Sequence, residues 1–197
     1  MDHAGLALAR AVKALAAEGA PVLICCGGGL NGGDGLAAAR HLECAGYAVR
    51  VLLVTPRESL RSEPAVFAGI VERLALPLAV CLSPDALQGQ RSWFQEAVII
   101  VDALLGIGFH GVVREPIRAC IEAINRSGKP VVSADLPSGL DAETGEAHGG
   151  AVKATVTVTF GLPKLGCARG DGPAQTGRLV IEPITFPRTL LEGTPAS

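Results

Sequence analysis

The chain has 197 residues, of which 49% are hydrophobic, and a formal net charge of −2. This length fits one α/β domain with a packed core, and the near-neutral charge without a basic stripe argues against a nucleic-acid partner. No apolar run approaches the about 20 residues of a membrane span, so we expect no membrane partner either.

Hydrophobic periodicity and the positions of Gly and Pro predict strands that alternate with helices. In chain order the predicted elements are helix 2–18, strand 22–26, helix 34–45, strand 47–54, helix 62–74, strand 77–82, helix 83–94, strand 97–101, helix 116–126, strand 130–134, strand 154–160, a loop over 161–177 and strand 177–184. This alternation indicates a mostly parallel sheet covered on both faces. No internal repeat or linker is visible, so we predict a single domain over residues 1–197.

A glycine-rich turn over 27–35 follows the first strand. Its six glycines leave backbone N–H groups uncovered at the positive end of the next helix, where a phosphate can bind. Gly27, Gly29 and Gly32 spell G-x-G-x-x-G, but the second strand ends without the acidic residue of an NAD site. The turn therefore favours a nucleotide-like ligand other than ordinary NAD or ATP. The alternative is a tight turn in which Asp34 caps the helix.

Polar side chains follow three of the predicted strands. Asn31, Asp102 and Ser138 offer amide, carboxylate and hydroxyl oxygens, which are ligands for an alkali or alkaline-earth cation rather than for zinc. Asp135 is then the candidate acid–base group. The alternative is that Asp102 and Asp135 only stabilise turns or cap helices.

Two other polar residues, His110 and Lys164, each have two possible roles. His110 lies in the glycine-punctuated loop 106–111, where it could contact a ligand or be solvated. Lys164 could contact a phosphate or lie in a turn.

The cysteines and the first residues of the chain favour a cytoplasmic location. The first five residues lack the basic and long apolar regions of a signal peptide. The six cysteines contain no C-x-x-C pair, so we expect buried thiols in a reducing cytoplasm. They are Cys25, Cys26, Cys44, Cys81, Cys120 and Cys167.

Four motifs, in this order and at this spacing, resemble those of the NAD(P)H-hydrate epimerase family. They are Gly29-Leu30-Asn31-Gly32-Gly33-Asp34-Gly35, Val101-Asp102-Ala103-Leu104-Leu105-Gly106-Ile107-Gly108, Ala134-Asp135-Leu136-Pro137-Ser138-Gly139-Leu140-Asp141 and Thr159-Phe160-Gly161-Leu162-Pro163-Lys164. The resemblance covers nearly the whole chain and implies a Rossmann-like three-layer α/β/α sandwich. It also implies that the chain is shortened at its N-terminus and lacks the dehydratase domain to which many bacterial epimerases are fused.

The resemblance implies a function: epimerisation of the R and S forms of hydrated NADH and NADPH at C6 of the nicotinamide. It implies K⁺ held by Asn31, Asp102 and Ser138, with Asp135 touching the substrate as the catalytic residue. The other implied substrate contacts are Leu30, Asn31, Gly32, Gly33, Asp34, Gly106, Ile107, Gly108, Phe109, His110, Gly111 and Val112. The expected partners are the hydrated nucleotide, a second copy of the chain in a homodimer, and a separate dehydratase.

One position departs from the family pattern. Leu30 stands where the family usually has Asn, which removes an amide that could bind the ligand. This favours a second hypothesis, a non-catalytic nucleotide-binding or scaffold domain on the same fold. A third, NAD-dependent oxidoreduction, is disfavoured because Thr55-Pro56 ends the second strand.

Overall fold

The computed structural model describes residues 1–184 as one sheet with helices on its faces. Its strands are β1 Pro21–Cys26, β2 Ala48–Leu53, β3 Leu78–Val80, β4 Ile99–Ala103, β5 Val131–Ala134, β6 Val156–Phe160 and β7 Arg178–Glu182. Its helices are α1 Asp2–Lys13, α2 Leu30–Cys44, α3 Ser62–Arg73, α4 Pro84–Gly89, α5 Arg91–Glu96, α6 Ile117–Ser127 and α7 Gly172–Gln175, with 3₁₀ turns over Arg57–Ser59 and Leu165–Ala168.

All the strand pairs of the sheet are parallel, in the order β3-β2-β1-β4-β5-β6-β7. The chain moves outward from β1 to β3 and then returns to place β4 on the other side of β1. The strand order therefore reverses between β1 and β4, and ligands of such sheets bind beyond the carboxyl ends of the strands at this reversal.

The core forms one apolar layer on each face of the sheet. On β1, Val22 and Ile24 pack in the layer that contains residues of α1, α2 and α3. Leu23 and Cys25 point to the opposite layer, which contains residues of α4, α5 and α6. Strands buried on both faces read as continuous apolar runs rather than as alternating ones, as β1 does. The predicted Rossmann-like three-layer α/β/α fold is confirmed.

The start of α2 differs from the sequence-based prediction, which began this helix at about Asp34. The helix begins at Leu30, after an extended Gly29. Glycines have low helix propensity, but tertiary packing overrides it here. A Cβ on Gly32 would lie 1.9 Å from the carbonyl oxygen of Gly27, so only glycine permits this close approach of the helix to the strand end.

Several other predicted boundaries are also wrong. Helix α1 ends at Lys13 instead of residue 18, and the predicted helix 83–94 is two short helices that meet at Gln90. Ser83 caps α4 as predicted, since its side chain accepts a hydrogen bond from the Ala86 N–H. The predicted loop over 161–177 contains a 3₁₀ turn and α7. The single-domain prediction extends to residues 185–197, which lie outside the described residues.

The cysteines follow the predicted pattern with one exception. All six are free thiols; five are buried and Cys44, at the end of α2, is exposed. Within residues 1–184, no helix has both the length and the apolar character needed to cross a membrane.

Candidate functional site

Strand register brings the predicted polar residues to one edge of the sheet. Asp102 on β4 pairs with Cys25 on β1 and with Ser133 on β5, and Ala134 on β5 pairs with Val158 on β6. The carboxyl ends of these four strands therefore lie side by side. The strand ends, the start of α2 and the loops that follow the strands carry the predicted site residues, so the candidate site is this edge.

Asp102 is the centre of a buried group of oxygen atoms. Its side chain is fully buried, and its Oδ2 accepts hydrogen bonds from the Ser133 hydroxyl at 2.8 Å and from the Ser138 N–H at 2.9 Å. Its Oδ1 accepts from the Ser138 hydroxyl and, at 3.3 Å, from the Leu104 N–H. These bonds fix both the carboxylate and the turn after β5 that contains Ser138.

Asn31 joins this group through the loop after β4. Its Nδ2 donates to the Leu105 carbonyl at 2.8 Å, and the Leu105 N–H donates to Ser138 Oγ at 2.9 Å. Gly106 packs against Asn31, where a Cβ on the glycine would lie 3.1 Å from the asparagine Cβ. The structure therefore brings together the three predicted cation ligands. We call Asn31, Asp102, Ser138 and the Leu105 carbonyl the oxygen cluster.

The oxygen cluster carries a charge with no ionic partner. Within residues 1–184, no Lys, Arg or His side chain forms a salt bridge with Asp102. Burial raises the pKa of Asp102, and the hydrogen bonds from Ser138, Ser133 and the Leu104 N–H oppose that rise. A buried carboxylate without a cation is unfavourable when it is ionised.

Asp135 lies at the end of β5 in a left-handed backbone conformation with φ of +66°. Its Oδ1 contacts the ammonium group of Lys164 and accepts hydrogen bonds from the Phe160 N–H at 3.1 Å and from the Thr159 hydroxyl at 3.4 Å. Its backbone N–H donates to the Val158 carbonyl at 2.8 Å. These contacts to β6 and to the loop after it hold Asp135 at the sheet edge.

Asp34 is a third carboxyl group at this edge, on the first turns of α2. It does not cap the helix, because the N-cap residue is Gly29. Burial raises the pKa of Asp34 to about 7; the amino group of Met1, 3.9 Å away, opposes this, and the negative charge of Asp135 adds to it. Asp135 is thus close enough to Asp34 for its negative charge to contribute to the raised pKa of Asp34.

The remaining predicted contacts differ in exposure. Leu30 is 66% exposed, so its side chain is not part of the core. The segment 106–112 is mostly exposed, although Phe109 packs against the core layer of α4, α5 and α6. His110 Nδ1 lies 3.0 Å from Asp141 Oδ2, and this contact joins segment 106–112 to the turn after Ser138.

Three contributors were missed from the sequence. Ser133 was read as an ordinary strand residue, although a lone hydroxyl in the apolar run 131–134 signals a buried polar contact. The Leu105 carbonyl carries no sequence signal, because any residue supplies it. Lys164 was assigned to a phosphate or a turn, but its ammonium group contacts Asp135.

Two grooves lie away from this edge. One of about 550 Å³ runs along α3, and one of about 850 Å³ lies between α4–α5 and α6. None of the predicted site residues lines either groove. The candidate site is therefore identified by its convergent polar groups and not by these grooves.

The model of the family described as YjeF-related protein N-terminus matches residues 1–166. The chain belongs to this YjeF-related family. An NAD(P)H-hydrate epimerase from Leuconostoc mesenteroides is 32% identical to it over 93% of this chain and 79% of that protein. The crystal structure of yeast ynu0 (YNL200c) superposes with a TM-score of 0.80 at 25% identity, covering 95% of this chain and 79% of the yeast chain. The resemblance read from the four motifs is confirmed.

Longer relatives also carry this YjeF-related segment. A protein from Pyrobaculum aerophilum, named bifunctional NAD(P)H-hydrate repair enzyme Nnr, is 42% identical over 95% of this chain. A protein of the same name from Thermofilum pendens is 40% identical over 98% of it. The chain spans 37% and 36% of the length of these two relatives.

Proposed function

We propose that the chain is an isomerase that interconverts the R and S forms of hydrated NADH and NADPH, a repair reaction at C6 of the nicotinamide. The observation that carries this proposal is the relation to the Leuconostoc mesenteroides epimerase, of which the chain covers 79%. The polar edge of the sheet supports it, because the residues that the resemblance implied are grouped there around Asp102 and Asp135.

The reaction inverts a carbon that carries a hydroxyl group and is bonded to the ring nitrogen. In one route the hydroxyl takes a proton and leaves as water while the nitrogen lone pair forms an iminium. Water then adds to the opposite face and returns the proton. In the other route the C–N bond breaks, the ring opens and then closes again. Both routes need one group to give and take a proton, and Asp135 has that role in this proposal.

The first turn of α2 is the proposed phosphate-binding element. Leu30, Asn31 and Gly32 lie at the helix start, where backbone N–H groups have no carbonyl partner within the helix. The positive end of a 15-residue helix favours an anion there. The nicotinamide would then lie towards Asp135, with Asp34 and segment 106–112 beside it.

A monovalent cation, K⁺, is proposed for the oxygen cluster. The donors fit it, because Asn31, Asp102, Ser138 and Leu105 supply amide, carboxylate, hydroxyl and carbonyl oxygens. The unpaired buried charge of Asp102 supports the same assignment. When bound, K⁺ would supply positive charge that stabilises the loops and partly neutralises nearby phosphates.

Three expectations about the cellular setting remain predictions: a homodimer, a cytoplasmic location and action alongside a separate dehydratase. The relatives named bifunctional repair enzymes support the last one. In them a segment similar to this chain is part of a longer protein.

The decisive experiment starts from pure R-hydrate of NADPH and follows the appearance of the S form by proton NMR. We expect equilibration of the two epimers at a rate proportional to the concentration of the chain. If only the R form remains, with the protein folded and K⁺ present, the proposed activity is contradicted.

The second candidate is a nucleotide-binding domain without catalysis, and exposed Leu30 favours it. The side chain that replaces the usual amide lies at the start of α2, where the ligand would bind. Binding of the hydrate in calorimetry without interconversion of the epimers would support this candidate.

A further inference from the structure

Lys164 is a cationic residue at the edge of the sheet that carries Asp34, Asp102 and Asp135. Its Nζ contacts Asp135 Oδ1 and donates to the Phe160 carbonyl at 2.8 Å. The two side chains of this ion pair are only 15% and 12% exposed. A pair so well shielded from water is held in place more firmly than a surface pair, and removing one partner leaves the other charge uncompensated.

The Asp135 carboxylate makes its contacts through one of its two oxygen atoms. Within residues 1–184, the hydrogen bonds and the ion pair made by its carboxylate all involve Oδ1, from Lys164, Phe160 and Thr159. Oδ2 has no hydrogen-bond partner among these residues. The fully buried side-chain atoms without a partner in this part of the chain are Arg40 Nε and Gln175 Oε1, so Oδ2 is not fully buried. Oδ2 is therefore reachable from solvent and has both lone pairs available.

The loop after β6 brings the ammonium group to this carboxylate. Gly161 has φ of +75°, a conformation that favours glycine, and its N–H donates to the Glu182 carbonyl on β7 at 2.8 Å. This turn reverses the chain, so that Lys164 reaches back over the end of β6 to the end of β5. Lys164 thus links the loop to the end of β6, through the Phe160 carbonyl, and also contacts the side chain of Asp135.

From this geometry we infer that Lys164 is a positioning residue: it holds Asp135 Oδ1 so that Oδ2 faces the reacting centre. This inference rests on the proposed epimerase function. A side chain held on one oxygen leaves a single defined atom for proton transfer, and small displacements of such an atom are costly for the rate.

The test is kcat and KM in Lys164→Met, Lys164→Gln and Lys164→Arg, with exposed Lys153→Met as the matched control. We expect the neutral variants to lose about 100-fold in kcat with KM little changed. Lys164→Arg should restore part of the lost kcat, and the control should match the parent chain.

Unchanged kcat in folded neutral variants would overturn the inference, and so would a loss that appears in KM alone. Either result would leave Lys164 with a purely structural role.

A second readout separates this inference from the proposed function. Crystal structures of the parent chain and of Lys164→Gln, both without substrate, show the position of the Asp135 carboxylate directly. A displaced carboxylate in Lys164→Gln supports the inference even if no epimerisation occurs. The same carboxylate position in both would overturn it even if the parent chain is active.

Discussion

The side-chain amide of Asn31 donates a 2.8 Å hydrogen bond to the carbonyl of Leu105, joining the first turn of α2 to the loop after β4. A carbonyl can only accept, so this bond fixes which end of the amide is the nitrogen. Asn31 Oδ1 is then left as an acceptor, and within residues 1–184 it has no hydrogen-bond donor. The bond therefore ties Asn31 to the loop after β4 and leaves Oδ1 as an acceptor that a ligand can use.

Potassium should stabilise the folded chain through this cluster. At a K⁺ concentration of about 100 times Kd, binding adds about 2.7 kcal/mol to the free energy of unfolding. Differential scanning calorimetry in potassium chloride and in choline chloride of equal ionic strength measures this difference. Asn31→Ala should lose most of it, whereas Ser92→Ala, on the exposed surface of α5, should keep it. Equal melting temperatures in both salts for the parent chain would contradict the K⁺ assignment.

Asp34 should make the chain less stable as pH rises. Its pKa is raised to about 7 in the folded chain by burial, against an ordinary value of 3.8. Between these values the folded state binds more protons than the unfolded state, so the free energy of unfolding falls with rising pH. Urea unfolding at intervals from pH 4 to pH 7 measures the slope.

Asp34→Asn should flatten that slope without removing it, because the pKa of buried Asp102 is raised as well. Asp85→Asn, at an exposed position on α4, is the matched control and should leave the slope unchanged. The same slope in Asp34→Asn as in the parent chain would show that Asp34 is not the titrating group.

The sequence allowed prediction of the sheet edge but not of the bonds within it. Asp102 and Asp135 follow apolar strands, and this pattern alone indicates a site at the carboxyl edge of a parallel sheet. The partners of these residues come from other strands: Ser133 pairs with Asp102 through strand register, and Lys164 reaches Asp135 through a turn after β6. Register and loop path depend on the whole fold, so neither contact has a local sequence signal.

The first turn of α2 was misjudged for a related reason. Three residues of that turn, Asn31, Gly32 and Gly33, were expected to precede the helix because glycines disfavour it. All three are helical and buried, and at Gly32 and Gly33 the Gly27 carbonyl oxygen, Met1 and Pro64 leave no room for a Cβ. The low helix propensity of glycine does disfavour a helix here, but packing against neighbouring elements outweighs it.

Asp135→Asn should abolish epimerisation and leave the fold intact. Asparagine tolerates a left-handed backbone conformation well, and its amide oxygen can still accept from the Phe160 N–H. It cannot transfer the proton, so we expect turnover to fall by about 100-fold to 10,000-fold. The NMR epimerisation assay measures the loss, and calorimetry checks the melting temperature. Near-normal turnover in a folded variant would make Asp135 a turn residue only.

Gly32→Ala should damage the start of α2, because a Cβ would lie 1.9 Å from the Gly27 carbonyl oxygen. Overpacking of this kind costs about 1–3 kcal/mol or more in the free energy of unfolding. Gly89→Ala, in α4 with no atom within 4 Å of the added Cβ, is the matched control and should be neutral or slightly stabilising. Urea unfolding compares the two, and equal stabilities would contradict the close approach.

Leu30→Asn should strengthen binding of the hydrated nucleotide. Leu30 is 66% exposed at the start of α2, so the substitution removes no core packing and should change stability by less than about 0.5 kcal/mol. A ligand polar group covered by Leu30 would lose water without gaining a partner, which costs about 1–3 kcal/mol. An amide at this position should therefore tighten binding or raise turnover about tenfold to a hundredfold.

Calorimetric titration and epimerisation kinetics test this in the parent chain, Leu30→Asn and Leu30→Ala. The alanine variant separates the removal of an apolar group from the addition of a hydrogen-bonding one, because only the asparagine can pair with the ligand. Equal affinities and rates for parent and Leu30→Asn would mean that the ligand does not meet residue 30. Binding in all three without turnover in any would favour the non-catalytic nucleotide-binding domain over the epimerase.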